Sequence, residues 1–451
     1  MSAFTEKFLG NGVGARARRS AVWSFVDFGG VQGLRLISNL ILTRLLFPEA
    51  FGLMALVMVV ITGLALFSDT GIGPSIIQSE RGDDPDFLNT AWTVQVIRGI
   101  ILWLAILGVS APVSSLYNEP VLAQILPIAG LNLLIDGFKP TAIYTANRSL
   151  EIGHLTRINI CAQVVTLLNL AALAWYLKSV WALVIGNVLG SVIAISIYFI
   201  FLPGAKNKFR LELGAAKQLF NFGKWIFLGT AAGFLINQGD RAILGLFTSL
   251  ETLGIYNIGY FLASVPVMLS FALQATVMTP LYRLKPPAAN AGNRVEIFRA
   301  RRLISLVLLA ISSGLAFIGP PLVEVLYDPR YSNAGAMITL FSLSAVPMVT
   351  LNTVGAAAIS AGDSRAMFFI VGVTALLQTS LLFAGIYTYG VVGALLSPGL
   401  AVILSYPIRL IYSRKYHVYD PVQDVGITFA GLILPIVACF VHYDRIMMLF
   451  T

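Results

Sequence analysis

Residues 42–53 read LTRLLFPEAFGL, and residues 244–255 read LGLFTSLETLGI. In register, Glu49 lies over Glu251, Gly52 over Gly254 and Leu53 over Ile255. Each stretch is an apolar run that stops, turns at an acidic residue and becomes apolar again. A tight turn between two apolar runs, made twice about two hundred residues apart, is the mark of an internal repeat.

Composition says where such runs belong. Of 451 residues, 57% are hydrophobic and 11% charged, and the mean hydropathy is +0.83. Soluble domains carry about 25% charged residues. One protein core cannot absorb this much apolar surface, so lipid must cover part of it, and the chain is an integral membrane protein. Cys161 and Cys439 sit in apolar runs without a CxxC pattern or nearby histidines, so they read as small hydrophobes, not disulfide or metal ligands. The polar, basic start, MSAFTEKFLGNGVGARARRS, reads as a cytoplasmic lead-in to a retained helix.

A helix crosses the hydrocarbon with about 20 apolar residues. That criterion places spans near 20–46, 50–78, 88–111, 121–147, 155–177 and 180–202, and again near 219–247, 251–282, 301–326, 333–361, 366–388 and 390–413. The expected fold is therefore all-α, with twelve spans. Residues 426–442, with Pro435 inside, fit either a short thirteenth span or an interfacial helix. With the N-terminus inside, 21 lysines and arginines fall in inside segments, against Arg44, Lys178 and Arg330 outside and Arg445 if the thirteenth span exists. This is the positive-inside pattern, so the +9 charge reports topology and not nucleic acid. The organisation expected is an inside segment 1–19, a first lobe 20–202, a linker 203–218, a second lobe 219–413 and a tail 414–451. The basic linker, PGAKNKFRLELGAAKQ, is expected to lie on the inner leaflet as an amphipathic helix.

Further echoes keep the same order. AIYTAN at 142–147 and AISAGD at 358–363 close spans four and ten, and VWALVIG at 180–186 and VVGALLS at 391–397 open spans six and twelve. Six spans repeated as six, an even number, give parallel halves about an axis along the membrane normal, with a central cavity expected between them. LTRLLFPEAFGLMAL, FSDTGIGPSIIQ at 67–78 and LNTAWTVQVIRG at 88–99, with NQGDRAILG at 237–245 and LGIYNIGY at 253–260, resemble the polysaccharide-transporter branch of the multidrug/oligosaccharidyl-lipid/polysaccharide flippase superfamily. The resemblance covers roughly residues 20–413. Fourteen-span relatives continue further than this chain. It implies export or flipping of a lipid-linked oligosaccharide, an undecaprenyl-pyrophosphate repeat unit, across the bacterial cytoplasmic membrane. It also implies partners in a polysaccharide polymerase and export machinery beside the membrane lipids, and drive from an ion gradient with no cofactor.

Charge inside a span costs about 2.5–3.5 kcal/mol per Arg, Lys or Asp, yet Asp27, Arg35, Asp69, Arg98, Asp136, Lys139, Asp240, Arg241 and Arg409 all fall within spans. Helical spacing groups Gln32, Arg35 and Asn39 on one face of span one, and Gln95 with Arg98 on span three. It likewise aligns Asn132, Asp136 and Lys139 on span four, and sets Asn237 beside Asp240 and Arg241 on span seven. One reading is a hydrated, cationic cavity in which Arg35, Arg98, Lys139 and Arg241, with Gln32, Asn39, Gln95 and Asn132, hold a pyrophosphate or acidic sugar. Asp27, Asp69, Asp136 and Asp240 are then candidates for ion coupling. Simpler readings stand beside it: Asp136 and Lys139 neutralise each other, Asp69 caps a helix break before Gly71 and Gly73, and Arg44 and Arg409 snorkel from span ends. Arg35 and Arg98 lie deepest and have no evident partner in sequence, while His154, His417 and His442 read as surface residues. No Walker lysine motif is present, so ATP hydrolysis is not expected. Short outside turns leave no room for a polymerase or acyltransferase domain, and deep arginines disfavour a multidrug or cation antiporter.

Reporter tags at Arg81, Lys206 and Asn290 should read cytoplasm, and tags at Asn118, Ser249 and Asn333 the opposite side. One reversed pair removes the twelve-span topology.

Overall fold

The structure, a computed structural model, describes residues 13–69, 71–204 and 206–450, without the side chains of 13–18, 20, 21, 25 and 220–229. Most of the expected inside segment 1–19 lies outside the described residues. Those described contain helices and turns and no strand. The chain forms two compact units, Met1–Thr230 and Ala231–Thr451.

The repeated turn is built the same way both times. In the first unit α1 (Val13–Leu45) is followed after two residues by α2 (Pro48–Phe67), with Phe47 extended as N-cap and proline opening the helix. Helix α10 (Leu213–Phe247) is followed after two residues by α11 (Leu250–Ala263), where the Ser249 hydroxyl accepts the Thr252 N–H at 3.2 Å. Proline needs no N–H partner at that position and serine supplies one, so two different sequences satisfy the same helix start. Glu49 and Glu251 both lie in the first turn, where a negative charge suits the helix dipole.

The rest of the first unit comprises α3 (Ile72–Gln78), α4 (Pro85–Tyr117), α5 (Leu122–Ala129), α6 (Leu131–Gly137), α7 (Ala142–Arg148), α8 (Ile152–Leu177) and α9 (Val180–Phe201). Span four is thus a broken helix, bent by 55° between α6 and α7. The backbones of α4 and α6 approach so closely that a Cβ on Gly99 would lie 2.8 Å from the Leu133 carbonyl. Small residues permit this contact, as they do between membrane helices generally.

The second unit continues with α12 (Val265–Leu273), α13 (Thr279–Leu284), α14 (Ala291–Leu326), α15 (Ala334–Leu351), α16 (Val354–Ser360), α17 (Ser364–Leu404), α18 (Tyr406–Lys415), α19 (Thr428–Val441) and α20 (Tyr443–Met447). Helix α15 is its centre, buried on nearly every side. Helix α17 is two helices joined at Gly390, whose φ of 57° and ψ of −137° are non-helical. A Cβ on Gly393 would lie 2.1 Å from the Gly385 carbonyl oxygen. Residues eight apart in a straight helix stand about 12 Å apart, so the chain reverses here, between the expected spans eleven and twelve.

Among the described residues nine helices are long and apolar enough to cross a membrane, or ten with the bent span four. This criterion does not reach the twelve expected. It takes the two arms of α17 as one, and α1 and α10 contain undescribed side chains. The tail segment Val422–Val441, 20 residues, passes, so the stretch at 426–442 is long enough to span.

One expectation needs correction. Residues 206–212 form no helix: they run extended across the start of α4. Lys208 N–H donates to Asn89 Oδ1, Arg210 N–H to Thr93 Oγ1 and Glu212 N–H to Thr90 Oγ1, at 2.8–3.0 Å. Alternate N–H groups of this segment thereby find helix side chains. Arg81 grips Glu212 and Asp84, and these bonds hold both carboxyls below their ordinary range. Arg301 and Arg302, which fall in an inside segment of the expected topology, are paired within the protein. Arg301 is fully buried, bonded to the Val418 carbonyl and, at 3.0 Å, to Asp424. Arg302 pairs with Asp420 at 2.7 Å. The tail is fastened to α14 by these two pairs and by Gln423, which donates to Ser305 at 2.6 Å.

Removing one partner of a buried pair strands the other charge. Arg301→Met should cost about 3–5 kcal/mol and visibly lower the Tm in detergent, while Arg301→Met with Asp424→Leu should regain most of it. Equal losses in the single and double variants would contradict the pairing.

Candidate functional site

Three side chains of the first unit serve breaks in neighbouring helices, and all three face one cavity. Asp69, just past the end of α2, accepts the Gly71 N–H at 2.9 Å, turning the chain where Gly71 takes a φ of 63° at the start of α3. From α4, Arg98 donates through Nη2 to the Ala65 carbonyl at 2.5 Å and through Nε to the Ser68 hydroxyl at 3.0 Å. These are acceptors in the last turn of α2, where a cation also suits the helix dipole. One turn earlier on α4, the Gln95 amide donates to the carbonyls of Asp136, Gly137 and Lys139 at 3.1–3.2 Å, gathering the frayed end of α6. Asp136 and Lys139 pair across that break at 2.8 Å. Carbonyls left open by a broken span have no water in hydrocarbon to bond, so polar side chains must reach them.

The cavity bounded by these groups holds about 190 Å³. Its polar wall is Asp69, Gln95, Arg98, Asp136, Lys139 and Tyr144, and apolar residues such as Leu102 and Leu133 complete it. Two carboxylates face two cations, so the lining is formally neutral. Gln95 is only 6% exposed, and its Oε1 has no hydrogen-bond partner. The structure therefore brings together Asp69, Gln95, Arg98, Asp136 and Lys139, drawn from three separate spans.

The other candidates lie elsewhere. Arg35 is on the exposed side of α1, with Gln32 and Asn39 partly covered. Asn132 turns away from the cavity: its Oδ1 accepts Ser191 Oγ of α9 at 2.8 Å. Asp27 accepts the Asn159 amide at 3.1 Å, and Asn159 in turn accepts the Tyr198 hydroxyl at 2.7 Å, tying α1, α8 and α9. In the second unit Asp240 accepts the Tyr256 hydroxyl at 2.6 Å. Arg241 donates to Asn257 Oδ1 at 3.0 Å and lies 4.4 Å over the Tyr260 ring. Asn237 is exposed and bonds the Gly233 carbonyl.

Three sequence readings change. Arg98, without an evident partner in sequence, is a helix cap. Arg409, expected to snorkel, is buried and donates to Ser405, Asn352 and Thr374 at 2.9–3.0 Å, at the break between α15 and α16. His442 is not a free surface residue, since its Nε2 lies 2.8 Å from the Phe317 carbonyl. Sequence reasoning missed Tyr144 in the cavity wall and Tyr256 and Tyr260 around Asp240 and Arg241. The tyrosines sit at helical positions among apolar neighbours and carry no charge signal.

The chain resembles known proteins in sequence and in fold. The family described as polysaccharide biosynthesis protein matches residues 41–335. The teichuronic acid biosynthesis protein TuaB of Bacillus subtilis is 22% identical, over 81% of this chain and 75% of its own length. The lipopolysaccharide biosynthesis protein WzxC of Escherichia coli is 21% identical, over 74% and 68%. The lipid II flippase MurJ, in an inward closed conformation, superposes with a TM-score of 0.70 at 11% identity, covering 95% of this chain and 97% of its own. An inward-facing multidrug resistance transporter of the MATE family superposes at 0.62, with 12% identity, covering 85% and 94%.

Arg98→Ala should open two acceptors at the end of α2 and destabilise the protein by about 1–3 kcal/mol. Arg98→Lys, which keeps the charge and one donor, should lose less. Membrane level and detergent Tm are the measurements; an Arg98→Ala protein as abundant and stable as the parent would rule out the capping role.

Proposed function

The chain belongs to the polysaccharide biosynthesis protein family, and we propose on that basis that it flips a lipid-linked oligosaccharide across the cytoplasmic membrane by alternating access. The observation that carries this reading is the family match, in a chain whose fold superposes over nearly its whole length with that of a lipid II flippase. A pyrophosphate and several sugars cannot enter hydrocarbon without a large desolvation cost. A hydrated path through the protein removes most of it while the polyprenyl tail stays in the bilayer.

In this reading the N-terminus is cytoplasmic, as the distribution of basic residues requires. The chain performs no bond-making step, draws on an ion gradient, and hands its cargo to a polymerase and export machinery. Arg35, with Gln32 and Asn39 on the same helix face, contacts the headgroup, because the planar guanidinium fork suits phosphate oxygens. Arg241 steadies the second unit, and Asp27, Asp69, Asp136 and Asp240 are the groups through which an ion could couple.

A deletion strain should lose surface polymer and accumulate lipid-linked repeat units on the cytoplasmic face. Export of single, unpolymerised units by that strain would replace the flippase with a polymerase. Restoring the gene with Arg35→Gln should cut export severely relative to protein level.

A further inference from the structure

From the first-unit cavity we infer a subsite for one neutral sugar ring of the cargo, recognised through its hydroxyls; this inference rests on the flippase reading above. The argument begins with charge. An inorganic cation entering the cavity would meet Arg98 and Lys139, and a pyrophosphate would meet Asp69 and Asp136. Neither sign is favoured where two carboxylates balance two cations. Arg98, the group best shaped to fork a phosphate, already spends two nitrogens on Ala65 and Ser68.

Hydrogen-bonding capacity points to the class of ligand. The Gln95 amide nitrogen faces three carbonyls, which fixes the side chain as part of the cavity wall. Its Oε1, an acceptor, is buried and closed off from the cavity space. The carboxylates of Asp69 and Asp136 are acceptors, while the Lys139 ammonium keeps two donors beyond the one facing Asp136. A lining that offers both acceptors and donors suits groups that donate and accept at once, and sugar hydroxyls do both. Tyr144 adds a phenol, and the apolar wall suits the C–H face of a ring.

Size agrees. At about 190 Å³ the cavity is smaller than the ~300–1,000 Å³ of pockets that bury a drug-sized ligand, which suits a single ring and not an oligosaccharide. The cavity would then read one residue of the cargo and leave the remaining sugars and the pyrophosphate outside it. Position gives the subsite a consequence. The groups that would hold the sugar also pin the ends of α2 and α6, so occupancy would bear on the two breaks at which the first unit can bend.

The test uses the purified full-length protein in nanodiscs and equilibrium dialysis against a panel of labelled methyl hexopyranosides, inorganic pyrophosphate and sodium ion. At least one pyranoside should bind with a Kd on the order of 1 mM. The neutral pair Asp136→Asn with Lys139→Gln should weaken it at least tenfold. Those two side chains are half exposed, so the variant should keep the parent's Tm and gel-filtration profile; should it not, Asp136→Asn alone carries the same comparison. Binding of pyrophosphate or sodium, lost in that variant, would overturn the sugar assignment in favour of an ionic site. Absence of binding by every pyranoside would overturn it in favour of water alone. The export assay on the deletion strain is read separately: lost export together with no pyranoside binding sinks the subsite and leaves the flippase standing.

Discussion

Backbone that leaves a helix inside hydrocarbon must find its hydrogen bonds within the protein, because the bilayer offers none. This constraint accounts for several polar side chains within the spans. Span two breaks after Phe67, span four after Gly137 and span ten after Leu351, and at each break a side chain from an adjacent helix takes up the loose backbone. Arg98 bonds Ala65, Gln95 bonds three carbonyls at 136–139, and Arg409 lies 3.4 Å from the Leu351 carbonyl while bonding the Asn352 side chain. The polar residues that look like ligands in a list are in large part the means by which broken helices are tolerated.

Structural and functional duty need not exclude one another. A side chain that closes a helix end is held rigid by that bond, and a rigid polar group is what a binding site requires. Around the first-unit cavity, two groups that pin breaks leave capacity over: the second oxygen of Asp69 and the remaining nitrogen of Arg98. Asp136 and Lys139 sit at the break itself. An occupant bonded to all of these would touch both bends. That is the geometry by which a ligand can weight one conformer over another.

The relatives fit this division of labour. Fold is retained at 11–12% identity in proteins whose names specify lipid II and multidrug transport. An architecture kept at so little identity cannot depend on particular ligand-binding side chains, and it can depend on where helices break and how closely they pack. The family assignment rests instead on the sequence match over residues 41–335.

Sequence alone determined the membrane class, the sites of helix turns and the internal repeat. Those features are local: hydropathy, proline at a helix start, glycine where φ is positive and the bias of lysine and arginine are each written in a window of a few residues. Asp69 as a cap belongs with them, since its partner Gly71 is two positions away. Asp136 with Lys139 is likewise a matter of three-residue spacing. What only the tertiary structure decided is which distant group each polar side chain meets. Arg98 finds a carbonyl 33 positions back, Arg301 finds Asp424 across 123 positions, and the linker at 206–212 bonds the side chains of α4. Helical periodicity tells which residues share a face, but it is silent about the neighbour that face meets, and in a membrane helix the energy of a polar group is set almost wholly by that neighbour.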